Sequence, residues 1–384
     1  MTKKLAGWLL LILALFCPAC DVGYLFHAAM GQFRLINASI PIQEALNSHA
    51  LTPAEAARLR LVARITDFGE RELGLRETQN YETVYLASPN RPIYTISASP
   101  KDRLSRKTWW FPFVGYMPYL GFFDLEKAKK KRDELVAQDL DVCIGVADAY
   151  STLGWFEDPV TLNLIQGSTP DLAETILHEM THTTLYLKDQ SAFNEGLAVL
   201  VGKVGAFLFL EQDFGPSHPF TQEAKASIQD ERLFSSYLNL LMNELEKLYV
   251  SSLSYEEKLT EREMIFTKSK NTFYQLKRRL HTDRFTRFGQ RSLNNAYILS
   301  VALYHRHFGL FEAVLTRKGG SIRETLLFFK ALSRQNDDVL KSAEAWLETS
   351  STLTHETRRM RSPAGLPHQK HGRYLCTSAV STRP

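Results

Sequence analysis

The amino-acid sequence predicts an α+β fold, predominantly helical, with a small sheet in the N-terminal half and a helical C-terminal half. Three observations predict it. Segments that alternate apolar and polar residues, the strand period, occur only before about residue 165. From Thr169 on, apolar residues recur at helical spacing behind capping residues. The chain has 384 residues and 44 % hydrophobic content, enough for a large core in one or two domains.

The elements follow in order. Lys3-Lys4 and the apolar run Leu5–Phe16 read as a targeting segment, too short to span a bilayer comfortably. It ends in Cys17-Pro18-Ala19-Cys20, which resembles a bacterial lipoprotein signal: residues 1–19 are removed and Cys20 becomes a lipidated N-terminus. Cys17 stands where such signals usually carry Leu, and Asp21 resembles the inner-membrane retention signal of Gram-negative lipoproteins. An uncleaved anchor or a plain secretory signal are the alternatives. Pro41–Leu75 reads as two helices, the second opened by the capping box Thr52-Pro53-Ala54-Glu55. Tyr81–Tyr85 and Ile93–Ser97 alternate like strands, and Pro89–Pro92 between them predicts a hairpin. Trp109–Phe123 is aromatic strand and loop, serving as core or as the lining of a substrate cleft. Asp124–Gln138 is a basic amphipathic helix, Val142–Val146 a buried strand, Tyr150–Pro159 a loop, and Val160–Ile165 a strand. Either of the last two strands offers an edge for an extended substrate.

Thr169-Pro170-Asp171 opens a helix, with Thr169 as N-cap, that runs on to Leu187. Lys188-Asp189-Gln190 is a turn, and Ser191–Leu210 a second helix. Leu233–Leu248, Tyr255 to about Leu280, Leu293–Phe308, Arg323–Leu332 and Asp337–Leu347 complete the helical part. The domain prediction is therefore one body over 20–350, mixed over 20–165 and helical over 166–350, with a disordered tail at 351–384 that is rich in Ser, Thr, Arg and Pro.

The first predicted helix of this part carries His178-Glu179-Met180-Thr181-His182. The pattern H-E-x-x-H arises by accident about 0.02 times in a chain of this composition. Residues four apart share a helix face, so His178 and His182 can grip one metal ion, and Glu179 beside them can reach a water on it. Glu195, thirteen residues after His182, returns on the second helix as the candidate third ligand. Two His and one carboxylate suit Zn2+ and leave a fourth position open, the pattern of a catalytic rather than a structural site. There is no Cys near the motif to close the site. Glu179 is the expected general base. For an oxyanion-stabilising group the candidates are Tyr304, then Tyr150, Tyr297 and His305.

Further motifs carry a family resemblance: Phe111–Gly115 with Pro118–Phe123, Ala149–Phe156 with Asp158-Pro159, Phe193-Asn194-Glu195 with Ala198, and Leu293–Ala296 with Tyr304. With these, roughly residues 20–340 resemble the bacterial predicted-aminopeptidase family, zinc-peptidase-like proteins of the cell envelope. The resemblance implies a zincin-like fold with gluzincin-like ligands, carried here onto His178, His182 and Glu195, with Glu179 as base. Gly196-Leu197 stands where relatives tend to carry Ser-Phe, which implies looser packing.

The formal charge of +4 misleads about partners. Two lysines in residues 1–19 and six basic residues against Glu356 in 351–384 leave 38 basic and 41 acidic residues between them. A mildly acidic body carries no nucleic-acid surface. Only Cys143 and Cys376 remain after processing, which is no disulfide framework. The expected protein is a periplasm-facing zinc aminopeptidase, lipid-anchored to a Gram-negative envelope, with a peptide or protein substrate. An envelope endopeptidase and a non-catalytic lipoprotein scaffold with structural zinc are the competing readings.

Overall fold

A computed structural model of the protein describes residues 38–48, 51–86, 93–111, 115–122, 124–147 and 158–360. The signal segment with Cys20, the loop containing Tyr150, and residues 361–384 lie outside the described residues.

The N-terminal half is mixed, as its alternating segments require. β1 (Ile40–Pro41) leads into α1 (Ile42–Asn47) and α2 (Pro53–Phe68). Thr52 and Glu55 form the expected capping box: the Thr52 side chain accepts from Glu55 N, and Glu55 accepts from Thr52 N. β2 (Thr83–Tyr85) pairs antiparallel with β1 and parallel with β8 (Val160–Thr161). β3 (Ile93–Pro100) is the centre of a second sheet, antiparallel to β6 (Leu120–Phe122) on one side and β7 (Leu140–Ala147) on the other. β4 (Trp109–Phe111) and β5 (Gly115–Met117) form a separate two-stranded ribbon. α3 (Leu125–Val136), capped by Asp124, covers the second sheet by setting Ala128 and Leu135 against Ile96 and Ala98.

Three expectations change here. β2 and β3 are not a hairpin but lie in different sheets, because β3 finds an eight-residue register with β7, from Ile93↔Ala147 to Pro100↔Leu140. Val142–Val146 is an edge strand rather than a buried one; Val146 is exposed. Of Val160–Ile165 only the first two residues are strand. Thr161 then caps a short helix, α4 (Leu162–Gln166), with its side chain accepting from Leu164 N.

The helical half comprises α5 (Thr169–Thr184), α6 (Ser191–Phe214), α7 (Pro219–Tyr249), α8 (Tyr255–Lys277), α9 (Asn295–His305), α10 (Phe308–Arg317), α11 (Ile322–Leu332) and α12 (Val339–Met360). α6 is apolar and long enough to cross a membrane, yet 78 % of its most apolar stretch is buried within the protein. It is the core helix on which α5, α7, α9 and α10 pack. α7 and α8 enclose Phe234, Phe273 and Phe288, with Phe285 stacked on Phe234 at 4.1 Å. One buried polar joint ties sheet to helices. Asp141 of β7 pairs with Arg262 of α8 at 2.9 Å and accepts from Asn295 N at the start of α9.

Residues up to Ala343 form one compact unit, and a second unit begins at Glu344. The described part of that second unit is helix. α12 continues to Met360, past the expected boundary at 350, since no Gly or Pro interrupts it before Pro363.

Candidate metal centre

Local chemistry starts α5 one residue earlier than expected. Ser168, not Thr169, is the N-cap: its backbone is extended, and its Oγ accepts from Asp171 N at 3.2 Å. Thr169 and Pro170 then occupy the first two helical positions. The helix ends at Thr184, because Leu185 is extended. A clamp holds the turn that follows. The Asn194 side chain accepts from Leu187 N at 2.8 Å and donates to Leu187 O at 2.7 Å, one residue before Glu195. A second tether reaches the β4–β5 ribbon, where Tyr116 N donates to Asp189 Oδ1 at 2.9 Å.

Two glycines let α6 lie close on α5. A Cβ on Gly202 would stand 2.8 Å from Glu174 O and 3.2 Å from the His178 Cβ. A Cβ on Gly205 would stand 2.8 Å from Leu73 Cδ1 and 3.0 Å from Leu177 Cδ1. Gly196 does not loosen the packing: the Phe311 ring fills its place, 2.5 Å from where a Cβ would be.

This approach brings the three predicted ligands together. His178 Nε2 and His182 Nε2 are 3.2 Å apart, and Glu195 Oε2 lies 3.3 Å from the first and 3.5 Å from the second. Ligands at about 2.0–2.2 Å around a tetrahedral ion stand about 3.3–3.6 Å from one another. The triangle therefore fits three corners of such a tetrahedron, with donor types that suit zinc. Among the described residues this is the group of His and carboxylate side chains arranged to hold a metal. His182 is 3 % exposed, whereas His178 and Glu195 are partly open, so the group is reached from one side. His182 Nδ1 is buried and has no hydrogen-bond partner among the described residues.

The electrostatics are those of a tight acid–imidazole group. Burial favours a neutral Glu195, but His182 and His178 outweigh it and hold the carboxyl at about 2. Burial likewise opposes charge on His182, yet Glu195 and then Glu179 raise its pKa above the ordinary value.

Tyr304 joins the group. Its ring stacks on His178, with centroids 6.4 Å apart and planes at 28°. Burial, then Glu195, Tyr119 and Glu179, push its phenol well above the usual range, so it stays protonated. Tyr150 lies outside the described residues, and the other two candidates are not brought here. Tyr297 stacks on Phe288 beside Arg291, and His305 turns to Glu231. Nor is the β7 edge open throughout: Val142 O and Ile144 O accept from Asn294 Nδ2 and Arg291 Nη1.

Sequence reasoning missed several neighbours. Tyr186 stands edge-on to His182 at 6.3 Å. Tyr119, read only as part of an aromatic run, acts on Tyr304. Tyr81 is buried in a left-handed backbone conformation, φ 67°, that a tyrosine rarely adopts. Its N–H donates to Asp158 O at 2.8 Å, and its phenol is raised by burial and then by Glu179 and Asp158. Tyr81 and Tyr304 thus both sense Glu179, and of the two only Tyr304 also senses Glu195. No local pattern marks a left-handed tyrosine, so the sequence carries no signal for this one.

No curated protein and no solved structure matches the chain. A family described as "putative aminopeptidase" does match, over residues 23–345. That span takes in the metal-type triangle, Glu179 and Tyr304, and the chain belongs to this family.

Proposed function

We propose that the protein is a zinc-dependent peptidase, acting as an aminopeptidase at the bacterial envelope. The observation that carries the reading is the His178–His182–Glu195 triangle, with edges of 3.2–3.5 Å and access from one side. Family membership supports a peptide substrate. Two ligands on one helix and the third on the next support a zincin-like site of the gluzincin type.

Zinc held there supplies Lewis-acid chemistry, polarising the scissile carbonyl and acidifying water. Glu179 takes the proton of the attacking water and passes it to the leaving amine. Tyr304, kept protonated by burial and neighbouring carboxylates, donates a hydrogen bond to the oxyanion as it develops. The buried wall of His182 excludes bulk water from one side, which strengthens both interactions.

The envelope location rests on the sequence of residues 3–21. Cys20 carries the lipid, Asp21 favours the inner membrane, and the body faces the periplasm. Labelled palmitate should enter the wild type and not Cys20→Ala; equal labelling would remove the anchor from the proposal.

Metal analysis of wild type and Glu179→Gln tests the chemistry. Both should hold about one zinc per chain, and only the wild type should hydrolyse aminoacyl reporters. Zinc-free wild type, or a Glu179→Gln variant with full activity, would sink the reading. An N-acetylated peptide separates the two peptidase classes: an aminopeptidase leaves it intact.

A further inference from the structure

We propose that a chain of polar side chains, Glu174–Lys203–Glu231–His305, buried at Lys203 and Glu231, positions Tyr304 against the metal ligands. Its catalytic meaning rests on the peptidase reading above.

The chain runs through four helices. Glu174 of α5 lies four residues before His178, on the same helix face. Its Oε1 is 3.1 Å from Lys203 Nζ of α6, and its Oε2 is 3.0 Å from Arg284 Nη1. Lys203 directly follows Gly202, the residue that lets α6 touch Glu174 O and the His178 Cβ. The lysine side chain is 3 % exposed and also reaches Ser227 Oγ at 2.9 Å and Glu231 Oε2 at 3.5 Å, both on α7. Glu231 is fully buried, and its Oε1 pairs with His305 Nδ1 at 2.7 Å. His305 sits on α9 next to Tyr304. Its ring stands edge-on to the stacked pair Phe234 and Phe285, at 5.5 and 5.2 Å.

Stability is a poor explanation for such a chain. Taking charges out of water costs about as much as the pairing returns, and apolar residues of similar volume often do as well or better. Geometry is a better one. Each link joins a different pair of helices: α5 to α6, α6 to α7, and α7 to α9. The metal ligands ride on α5 and α6, and Tyr304 rides on α9. α9 also packs on α6 through apolar contacts, but these leave a helix free to slide by a fraction of an ångström. The outer links, at 3.1 and 2.7 Å, and the hydrogen bond from Lys203 Nζ to Ser227 Oγ at 2.9 Å restrict that sliding, with the 3.5 Å Lys203–Glu231 ion pair beside them. Both carboxyls remain ionised despite burial. His305 and Lys203 outweigh it at Glu231, and Lys203 and Arg284 do so at Glu174.

The test substitutes the central link by Lys203→Met, with Lys203→Arg as the conservative control, each in the wild type and in Tyr304→Phe. Zinc affinity and KM should stay within about threefold, while kcat falls about 10–100-fold, the cost of a misplacement of about 1 Å. Lys203→Arg should recover part of the loss. In Tyr304→Phe the same Lys203→Met change should cost less than about threefold, because the group it positions has no hydroxyl. A second readout needs no hydrolysis. In the protein as purified, amide exchange in 295–305 should quicken about tenfold in Lys203→Met while 255–277 is unchanged. If Lys203→Met does not fold, Glu231→Gln replaces it with the same expectations. Wild-type kcat with unchanged exchange in 295–305 overturns the proposal, as does an equal loss of kcat in the Tyr304→Phe background. If no variant and no wild type hydrolyses any peptide, the peptidase reading fails separately, and exchange in 295–305 alone decides whether the charges hold α9.

Discussion

The distance between His178 Nε2 and His182 Nε2, 3.2 Å, is shorter than two imidazole lone pairs tolerate unless a proton or a cation lies between them. Glu195 completes the enclosure and, at about 2, supplies a full negative charge at any physiological pH. At this scale Tyr304 is the residue whose role the structure sharpens. Tyr304→Phe removes one hydroxyl and leaves the ring that stacks on His178. Zinc content and Tm should be unchanged, and kcat should fall about 10²–10³-fold, the range for loss of one oxyanion donor. Steady-state kinetics on the metal-replete protein check this; a variant with wild-type kcat removes Tyr304 from the mechanism. Asn194 contributes by holding the turn before Glu195. Asn194→Ala leaves Leu187 N–H and C=O without their partner, at a cost of about 1–3 kcal/mol, and should weaken zinc binding about 10–100-fold through Glu195. Denaturant unfolding and a zinc titration read the two effects separately.

At the scale of elements, the site depends on how closely α5 and α6 pack. The H-E-x-x-H spacing makes two ligands adjacent on any helix, but the third depends on the crossing of two helices. Gly202 sets that crossing. Gly202→Ala improves helix propensity by about 1 kcal/mol, yet its methyl would meet backbone oxygen at 2.8 Å. The clash dominates, because the neighbour is Glu174 O and not the end of a flexible side chain. We expect a net loss of about 1–3 kcal/mol in thermal or denaturant unfolding, with weaker zinc binding. Much of the element pattern was legible in the sequence. The capping box at Thr52 and the turn at Lys188–Gln190 are local chemistry, and the structure has them. The hairpin reading of Tyr81–Tyr85 with Ile93–Ser97 failed because adjacency in sequence competes with register. Eight paired residues across β3 and β7 outweigh a three-residue strand nearby.

At the scale of the molecule, the interior holds an unusual amount of charge. Lys203, Glu231, Asp230 and Arg262 are all buried. Glu174 and Glu231 have folded pKa values below their ordinary 4.5. The sign follows directly: the unfolded chain binds more protons at these groups, so their contribution is present above pH 4.5 and is lost as pH falls through the folded values. Thermal unfolding should therefore show Tm declining steeply below about pH 4.5, with a shallower decline in Glu231→Gln. A Tm flat to about pH 3 would contradict this linkage. None of the charge pairing was visible in the sequence, because Lys203 lies 29 residues from Glu174 and 28 from Glu231, with nothing local to mark either partner.

By itself the sequence determined the helix-rich α+β class and the pairing of His178 with His182 on one helix face, with Glu179 beside them and Glu195 as the third member of a group that could hold a metal. These rest on spacing along one helix and on a short turn to the next, which are properties of neighbouring residues. Only the tertiary structure decided that Tyr304, and not Tyr297 or His305, stands beside His178. It also decided that Tyr81, on a left-handed backbone, lies within electrostatic reach of Glu179, and that polar side chains centred on buried Lys203 and Glu231 link the helices. Those depend on where distant segments meet, and that is set by glycine-permitted contact, strand register and paired charges across the whole core.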